Sequence, residues 1–401
     1  MKLLIGDEAG LDRGIDSKHA PETSIVLRYR NLFQFGETAE EDSEYKKWLQ
    51  RTSIREGARI FPLLVYKGVG VFVLDETSFM HTKTLKSVDG CITIARCKLG
   101  GLEKVVFESG GNTGTALTQY GIRSGLETFM LIPEENLSLL NSRIFESEKA
   151  HLLSVVKPGL VKEAARLLGK LNGLKQIPET AWRYEASLFR GCFILEHLLK
   201  KEKFDWIVQT VSAAFGPIGI YRVLKGFEKE IGQAPRFLGI QQEANAPLFA
   251  AWEKGRMDRE PAKMNSTNKL LSKVMYDIHP QTYGTFEEFT SILSAAGGGL
   301  TTIGHQEFNG FLEQPREEKN ILGLLKKWGI EITLREGEVV EKTGLIALAG
   351  TLKEIDSGKI AKGNKVLCCL TSGISEADGM AIPECRISSL DDLAGTLIKI
   401  P

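Results

Sequence analysis

Apolar positions in this chain fall into two patterns that alternate along most of its length. Short continuous apolar runs predict buried strands at Val69–Leu74, Lys104–Phe107, Phe129–Pro133, His151–Val156, Phe204–Thr210, Phe237–Gln241, Glu331–Leu334 and Lys365–Leu370. Between them, apolar residues recur at helical spacing. Val88, Ile92, Ile94, Ala95 and Leu99 predict a helix from Lys86 to Leu99, stopped by Gly100-Gly101. Further helices are expected at 115–124, 137–148, 160–172, 186–201, 219–230, 320–328 and 343–355. Strand and helix in alternation imply right-handed crossovers and a parallel sheet, hence an α/β fold.

Two stretches break the rhythm. Residues 1–60 are polar and irregular, with an acidic patch from Glu37 to Glu44, and are expected to form a surface extension with short helices. Residues 243–318 are less regular and contain Ala295-Ala296-Gly297-Gly298-Gly299, a flexible or tightly turning segment. No internal repeat or low-complexity segment is present.

The chain has 401 residues, beyond the roughly 250–300 that one core supports, so about two domains are expected. The expected division is residues 1–86 as an extension plus the first part of a large domain, 87–200 as a smaller mobile α/β domain, and 201–401 as the remainder of the large domain. Basic and acidic residues number 51 each, which gives no electrostatic reason to expect a nucleic acid or an acidic membrane surface as partner. No apolar run approaches the roughly 20 residues of a membrane span. The N-terminus turns acidic at Asp7-Glu8, too early for a signal peptide, so a cytoplasmic protein is expected. The six cysteines lack paired metal spacing and are expected as free thiols; the six histidines are scattered, so no metal site is expected.

Four stretches carry candidate chemistry. Lys86 stands at a helix start, where partial desolvation would suit an amine nucleophile; Lys83 is the rival three residues earlier. Ser109-Gly110-Gly111-Asn112-Thr113-Gly114 follows a strand and opens a helix, so its N–H groups can hold an anion such as a carboxylate. It matches neither the dinucleotide G-x-G-x-x-G fingerprint nor the phosphate-loop pattern. Phe215-Gly216-Pro217-Ile218-Gly219 also lies between strand and helix; the N–H groups of Gly216, Ile218 and Gly219 can cradle a phosphate, whereas Pro217 has none. Thr371 and Ser372 end an apolar strand, where a hydroxyl meets a ligand at a sheet edge. Each stretch taken alone is also explained by an ordinary turn or a solvated lysine.

Together the four resemble the fold type II enzymes that use pyridoxal phosphate (PLP), the tryptophan synthase β superfamily, and within it threonine synthase and cysteate synthase. His81-Thr82-Lys83-Thr84-Leu85-Lys86-Ser87 matches a P-T-G-S-F-K-D motif, and Ser109-Gly110-Gly111-Asn112-Thr113 matches S-T-G-N-T. Asn112 stands 26 positions after Lys86, which fits the family without a gap; Lys83 would need an insertion. Leu370-Thr371-Ser372-Gly373 resembles the family's L-T-G, and Val340–Gly344 with Leu348-Ala349-Gly350 its E-P-x-S-A…L-A-G segment. Tyr283-Gly284 with Gly297-Gly298-Gly299 is most similar to cysteate synthase-like proteins.

The resemblance implies two domains, each a mainly parallel sheet flanked by helices, with PLP in the cleft. It implies Lys86 as Schiff-base residue and proton shuttle, Asn112 on the ring oxygen, and Gly216, Pro217, Ile218 and Gly219 around the phosphate. Thr371, or its rival Ser372, would face the ring nitrogen. Ser109, Gly110, Gly111 and Thr113 would hold the substrate carboxylate, with Lys83 and Thr84 also at the substrate. The implied protein is a homodimer acting on a small amino acid. The implied reaction is β-replacement or elimination on O-phosphoserine or a similar serine derivative; γ-replacement on O-phosphohomoserine, or a catalytically silent binding protein of the same fold, are the alternatives. The departures are Lys83 for a glycine, Ser87 for an acidic residue, and a phosphate loop without asparagines.

Overall fold

The computed structural model describes residues 1–256, 264–277, 284–315 and 320–395. Two sheets organise it. The first has six strands in the order Gly299–Ile303, Arg236–Gln242, Trp206–Thr210, Lys365–Leu370, Val69–Asp75, Arg59–Tyr66. All neighbours are parallel except the last pair. The second has five, in the order Cys385–Ile387, Ala150–Val155, Glu127–Pro133, Lys104–Glu108, Lys175–Gln176, all parallel. The α/β expectation holds, with helices packed around both sheets. The last described strand, Cys385–Ile387, lies in the second sheet, so the chain returns there after completing the first.

In the six-stranded sheet, strand order runs outward from Trp206–Thr210 through Arg236–Gln242 to Gly299–Ile303, while Lys365–Leu370 sits on its other side. The order therefore reverses between Trp206–Thr210 and Lys365–Leu370. The loops after those two strands diverge there and leave a crevice at the carboxyl edge.

The helix at Lys86–Leu99 and the strand at Lys365–Leu370 have the expected bounds. Other elements differ for physical reasons. Arg59–Tyr66 was not expected as a strand because Pro62 interrupts its pattern; it is an edge strand whose register shifts between Pro62 and Leu64. The helix expected at 137–148 is instead two 3₁₀ segments, Glu134–Leu139 and Ser142–Glu146. Asn136, buried in the first, holds Gly110 O at 2.8 Å and Lys273 O at 3.0 Å through its amide. The stretch from 331 to 334 forms only a two-residue strand, Leu334–Arg335, turning back at Glu336-Gly337 onto Glu338–Val339. Within 243–318 lie the helices Pro247–Lys254, Phe286–Ala296 and His305–Glu313 and the strand Gly299–Ile303. Gly297 closes a helix at φ 68°. Tyr283 lies outside the described residues.

The N-terminal sixty residues are no surface appendage. Tyr29, Phe33, Tyr45 and Leu49 are fully buried. Thr38 and Glu41 form a capping box that starts the helix Ala39–Thr52. Arg28 and Tyr29 OH both reach Glu196, and Tyr45 OH reaches Glu185 Oε2 at 3.5 Å, tying this segment to the helix Thr180–Lys200. Its aromatic residues are spread over several short elements, so no periodic signal marks them in sequence. Five cysteines are buried and Cys385 is partly so, and all six are unpaired. Burial pushes the Cys368 thiol up to about 12, which keeps it protonated and unreactive.

Candidate active site

A cavity of about 190 Å³ opens at the crevice, between the carboxyl ends of the two sheets. Lys86, Asn112, Thr371 and Ser372 line it together, with Thr84, Ser109–Thr113, Gly216 and Pro217. Residues that are hundreds of positions apart in the chain thus share one wall.

Lys86 is the first residue of its helix, and its N–H is held by Thr84 Oγ1 at 3.1 Å. Leu85 N–H bonds Thr371 O at 3.0 Å, which fixes the lysine loop to the end of the Lys365–Leu370 strand. Lys86 Nζ stands 3.2 Å from Asp89 Oδ2, one turn along the same helix. Ser87, where the family pattern has an acidic residue, bonds Thr82 N and Oγ1 at 2.9 Å each and braces the loop from behind. Lys83 does not line the cavity. It has a left-handed backbone, φ 58°, where glycine is at ease and a lysine is not.

In the glycine turn, Ser109 Oγ accepts N–H bonds from Gly111 at 3.1 Å and Gly114 at 2.8 Å. Asn112 and Thr113 open the helix Asn112–Arg123, so helix geometry leaves their N–H groups without intrahelical partners. A Cβ on Gly110 would stand 2.5 Å from Val274 O, so backbone from another segment covers the turn closely. That segment is held by Gln242 Nε2 to Ser272 O and Met275 O at 3.1 and 2.9 Å, and by Tyr276 OH to Glu108 Oε2 at 3.0 Å.

The second helix start differs from the sequence expectation. The helix begins at Phe215, with Ala214 before it in a left-handed conformation, φ 63°. Ile218 N–H therefore bonds Ala214 O at 3.2 Å and is not free for a ligand. Neither Ile218 nor Gly219 lines the cavity; a Cβ on Gly219 would meet Ser187 Cβ at 2.3 Å, so that glycine serves helix packing. The cavity is lined here by Ser212, Ala213, Ala214, Phe215, Gly216 and Pro217. The helix starts at Phe215 where the sequence reading put Gly219, because no sequence signal separates the loop from the first helical turn.

The two candidate hydroxyls are also distinguished. Asn112 Nδ2 donates to Ser372 Oγ at 3.4 Å. Thr371 Oγ1 is buried and has no partner among the described residues.

Sequence reading missed one wall. Arg183, Ser187 and Arg190 line the cavity from the helix Thr180–Lys200 at spacings of four and three, one stripe of that helix. The signal was present, since two arginines and a serine recur at helical spacing in a mostly apolar segment. Placing the helix start at Ala186 cut Arg183 off. Arg190 is 1% exposed and clamped by Glu76 at 2.5 and 2.7 Å and by Gln209 Oε1 at 2.8 Å. Burial disfavours its charge, but Glu76 outweighs this, so its pKa is raised. Among the described residues, no cluster of histidine, cysteine and carboxylate side chains could hold a metal ion, and no helix is long and apolar enough to cross a membrane.

No family model matches the chain. Threonine synthase of Halalkalibacterium halodurans is 23% identical over 328 residues, 77% of this chain and 78% of that protein. Cysteate synthase of Methanosarcina acetivorans is 21% identical over 317 residues, 77% of this chain and 73% of that protein. Among solved structures, threonine synthase from Escherichia coli superposes with a TM-score of 0.61 at 13% identity, covering 100% of this chain and 85% of that one. The chain thus has the fold of the fold type II PLP enzymes and is similar in sequence to threonine and cysteate synthases.

Proposed function

We propose that the chain is a PLP-dependent synthase that replaces or eliminates the β-substituent of a serine derivative, with O-phosphoserine the best substrate. The observation that carries this reading is the conjunction, in one cavity, of Lys86, the Asn112–Ser372 bond and the unpartnered Thr371 hydroxyl. The residues present suit the cofactor. Thr371 Oγ1 lacks a partner that a ring nitrogen would supply, and Gly216 lets the backbone approach Gln209 Nε2 and Arg190 Nη1 more closely than a side chain would allow, 2.6 and 2.8 Å from where its Cβ would sit.

Bound PLP supplies an electron sink for a carbanion at the substrate Cα. Thr371 would face the ring nitrogen as a neutral hydroxyl, which holds a proton there less well than a carboxylate and so favours loss of a leaving group over transamination. Lys86 Nζ would carry the cofactor and then take the Cα proton, with Asp89 orienting the ammonium from 3.2 Å. The N–H groups of Asn112 and Thr113, with Ser109 and Gly110 in the same turn, would hold the substrate carboxylate. The Ser272–Asp277 segment, packed on Gly110, would limit water at the reacting carbon. Lys162 and Arg183 line both this cavity and the adjoining cleft, on the side where an anionic substituent would leave. They take the role that the sequence suggested for Lys83. The reading includes a small substrate domain around the five-stranded sheet that moves against the larger one, a homodimer, and a cytoplasmic setting.

γ-Replacement on O-phosphohomoserine is the second reading, favoured by the threonine synthase relative. One experiment tests the core of both. The purified protein, loaded with PLP, should show a visible band that borohydride fixes onto Lys86, located by peptide mass. Lys86→Ala should lack it, and turnover should fall about 10³-fold, as expected on losing a proton-transfer group. No band in the wild type would sink the enzyme reading. A band persisting in the variant would move the role to Lys83. Spectral titration with O-phosphoserine and O-phosphohomoserine would then separate the two substrates.

A further inference from the structure

We infer that Arg190 is a phosphate-binding residue: its buried, unpartnered Nη1 and the N–H groups that open the helix Phe215–Lys225 form one site for a phosphate monoester. The inference rests on the PLP reading for the identity of that ester, the cofactor's own phosphate.

Four observations converge. Arg190 is 1% exposed, yet Nη1 has no partner among the described residues, and an unsatisfied buried donor on a charged group is costly. The guanidinium cannot swing away to satisfy it. Nε and Nη2 are fixed by both Glu76 oxygens and by Gln209 Oε1, so the fork is aimed by its clamp. The direction of aim is known, because Nη1 stands 2.8 Å from the point where a Cβ on Gly216 would sit, and Gln209 Nε2 stands 2.6 Å from it. Finally, Gly216 stands in the first turn of an eleven-residue helix, so its N–H lacks an intrahelical partner and the helix dipole favours an anion beside it.

A salt bridge kept only for stability would leave the third nitrogen covered by apolar side chains. Here Arg190 is among the residues that line the cavity instead. The arrangement also accounts for the loop's lack of asparagine side chains, because a guanidinium from the neighbouring helix supplies a charge-assisted donor in their place.

The test compares affinities of the PLP-free protein for PLP and for pyridoxal, which lacks the phosphate, by absorbance titration. Arg190→Met alone would strand Glu76, so Glu76→Gln/Arg190→Met is made beside it, with Glu76→Gln as control. Arg190→Lys keeps a cation for Glu76 while removing the fork. A phosphate role predicts that the wild type prefers PLP over pyridoxal. The double variant and Arg190→Lys should then lose about 10- to 100-fold of PLP affinity with pyridoxal affinity unchanged. Equal losses for both ligands, or no loss for either, would overturn it. If the wild type binds neither ligand, the enzyme reading has failed on its own. Thermal shift with inorganic phosphate then decides this inference. A shift abolished in Arg190→Lys supports the anion site, and no shift, or one that survives the substitution, overturns it.

Discussion

Two helix starts face each other across the cavity, and they solve the same problem differently. Each follows a parallel strand and offers backbone N–H groups at a sheet's carboxyl edge. The turn at Ser109–Gly114 is neutral: its serine oxygen takes two of its own N–H groups, and backbone at Val274 covers it. The loop at Ser212–Gly216 has a fixed guanidinium behind it. A carboxylate with one charge needs few donors and must be released as product. A phosphate carries nearly two charges and must stay through every turnover, so a charged, buried donor suits it. On the proposed function, the contrast would separate what turns over from what remains.

The largest effect expected from breaking this contrast is at the glycines. In Gly216→Ala the new Cβ meets Gln209 Nε2 and Arg190 Nη1 at 2.6 and 2.8 Å. PLP affinity should fall about 100-fold in titration, and because the clamped Arg190 cannot swing aside, stability should fall by about 1–3 kcal/mol as well. In Gly110→Ala the obstacle is backbone, Val274 O at 2.5 Å. Stability should fall by about 1–3 kcal/mol in denaturant melts, and KM should rise more than PLP affinity falls. Equal losses of cofactor and substrate in both variants would show that the two starts are not specialised.

The hydroxyls give a smaller, sharper test. Thr371→Val removes the unpartnered Oγ1, whereas Ser372→Ala removes only the acceptor of Asn112. Thr371→Val should shift the visible band and lower kcat about tenfold, while Ser372→Ala should cost about 1 kcal/mol of PLP affinity, one hydrogen bond's worth. The reverse ranking would make Ser372 the ring-facing group.

Much of this site was legible in sequence because its parts are local. The lysine helix, the glycine turn and the strand end before Thr371 each announce themselves within ten residues, and the spacing of 26 from Lys86 to Asn112 chose the lysine. What stayed hidden depends on long-range packing. Arg190 looks like any helical arginine until Glu76 and Gln209, 114 and 19 positions away, are brought beside it. Val274 covers Gly110 only because Asn136, in a 3₁₀ segment, and Gln242, at the end of a strand, hold its segment from two sides. The N-terminal aromatics became core because helix Thr180–Lys200 lay ready to receive them.

A control far from the cavity shows what acid should do to the scaffold alone. Burial, helped by Lys201, lowers His197 from 6.5 to about 4. The unfolded chain thus binds a proton between those values that the folded one refuses, so stability is full above pH 6.5 and falls as pH drops towards 4. Allowing for the ring's partial exposure, the loss is about 1–2 kcal/mol. His197→Phe should flatten that part of the pH-stability curve without changing PLP affinity. A change in PLP affinity would mean that the long helix transmits strain to Arg190.

The smallest expected effect concerns backbone strain at two non-glycine residues, Lys83 and Ala214, which are left-handed at φ 58° and 63°. A left-handed L-residue costs about 1–2 kcal/mol, which glycine relieves. Glycine also frees the unfolded chain, which takes back about 0.4–1 kcal/mol. The net gain for Lys83→Gly is therefore about 0.5–1 kcal/mol, measurable by denaturant melts. Because Lys83 lies off the cavity, selectivity between phosphorylated and acetylated substrates should not change. Ala214→Gly should gain similar stability but loosen the loop that presents Phe215 and Gly216, and PLP affinity should fall two- to threefold, about 0.5 kcal/mol. If instead Lys83→Gly altered selectivity and Ala214→Gly left PLP binding intact, the strained residue that matters would be the one at the lysine loop, and the specialised anion site would have to be sought there.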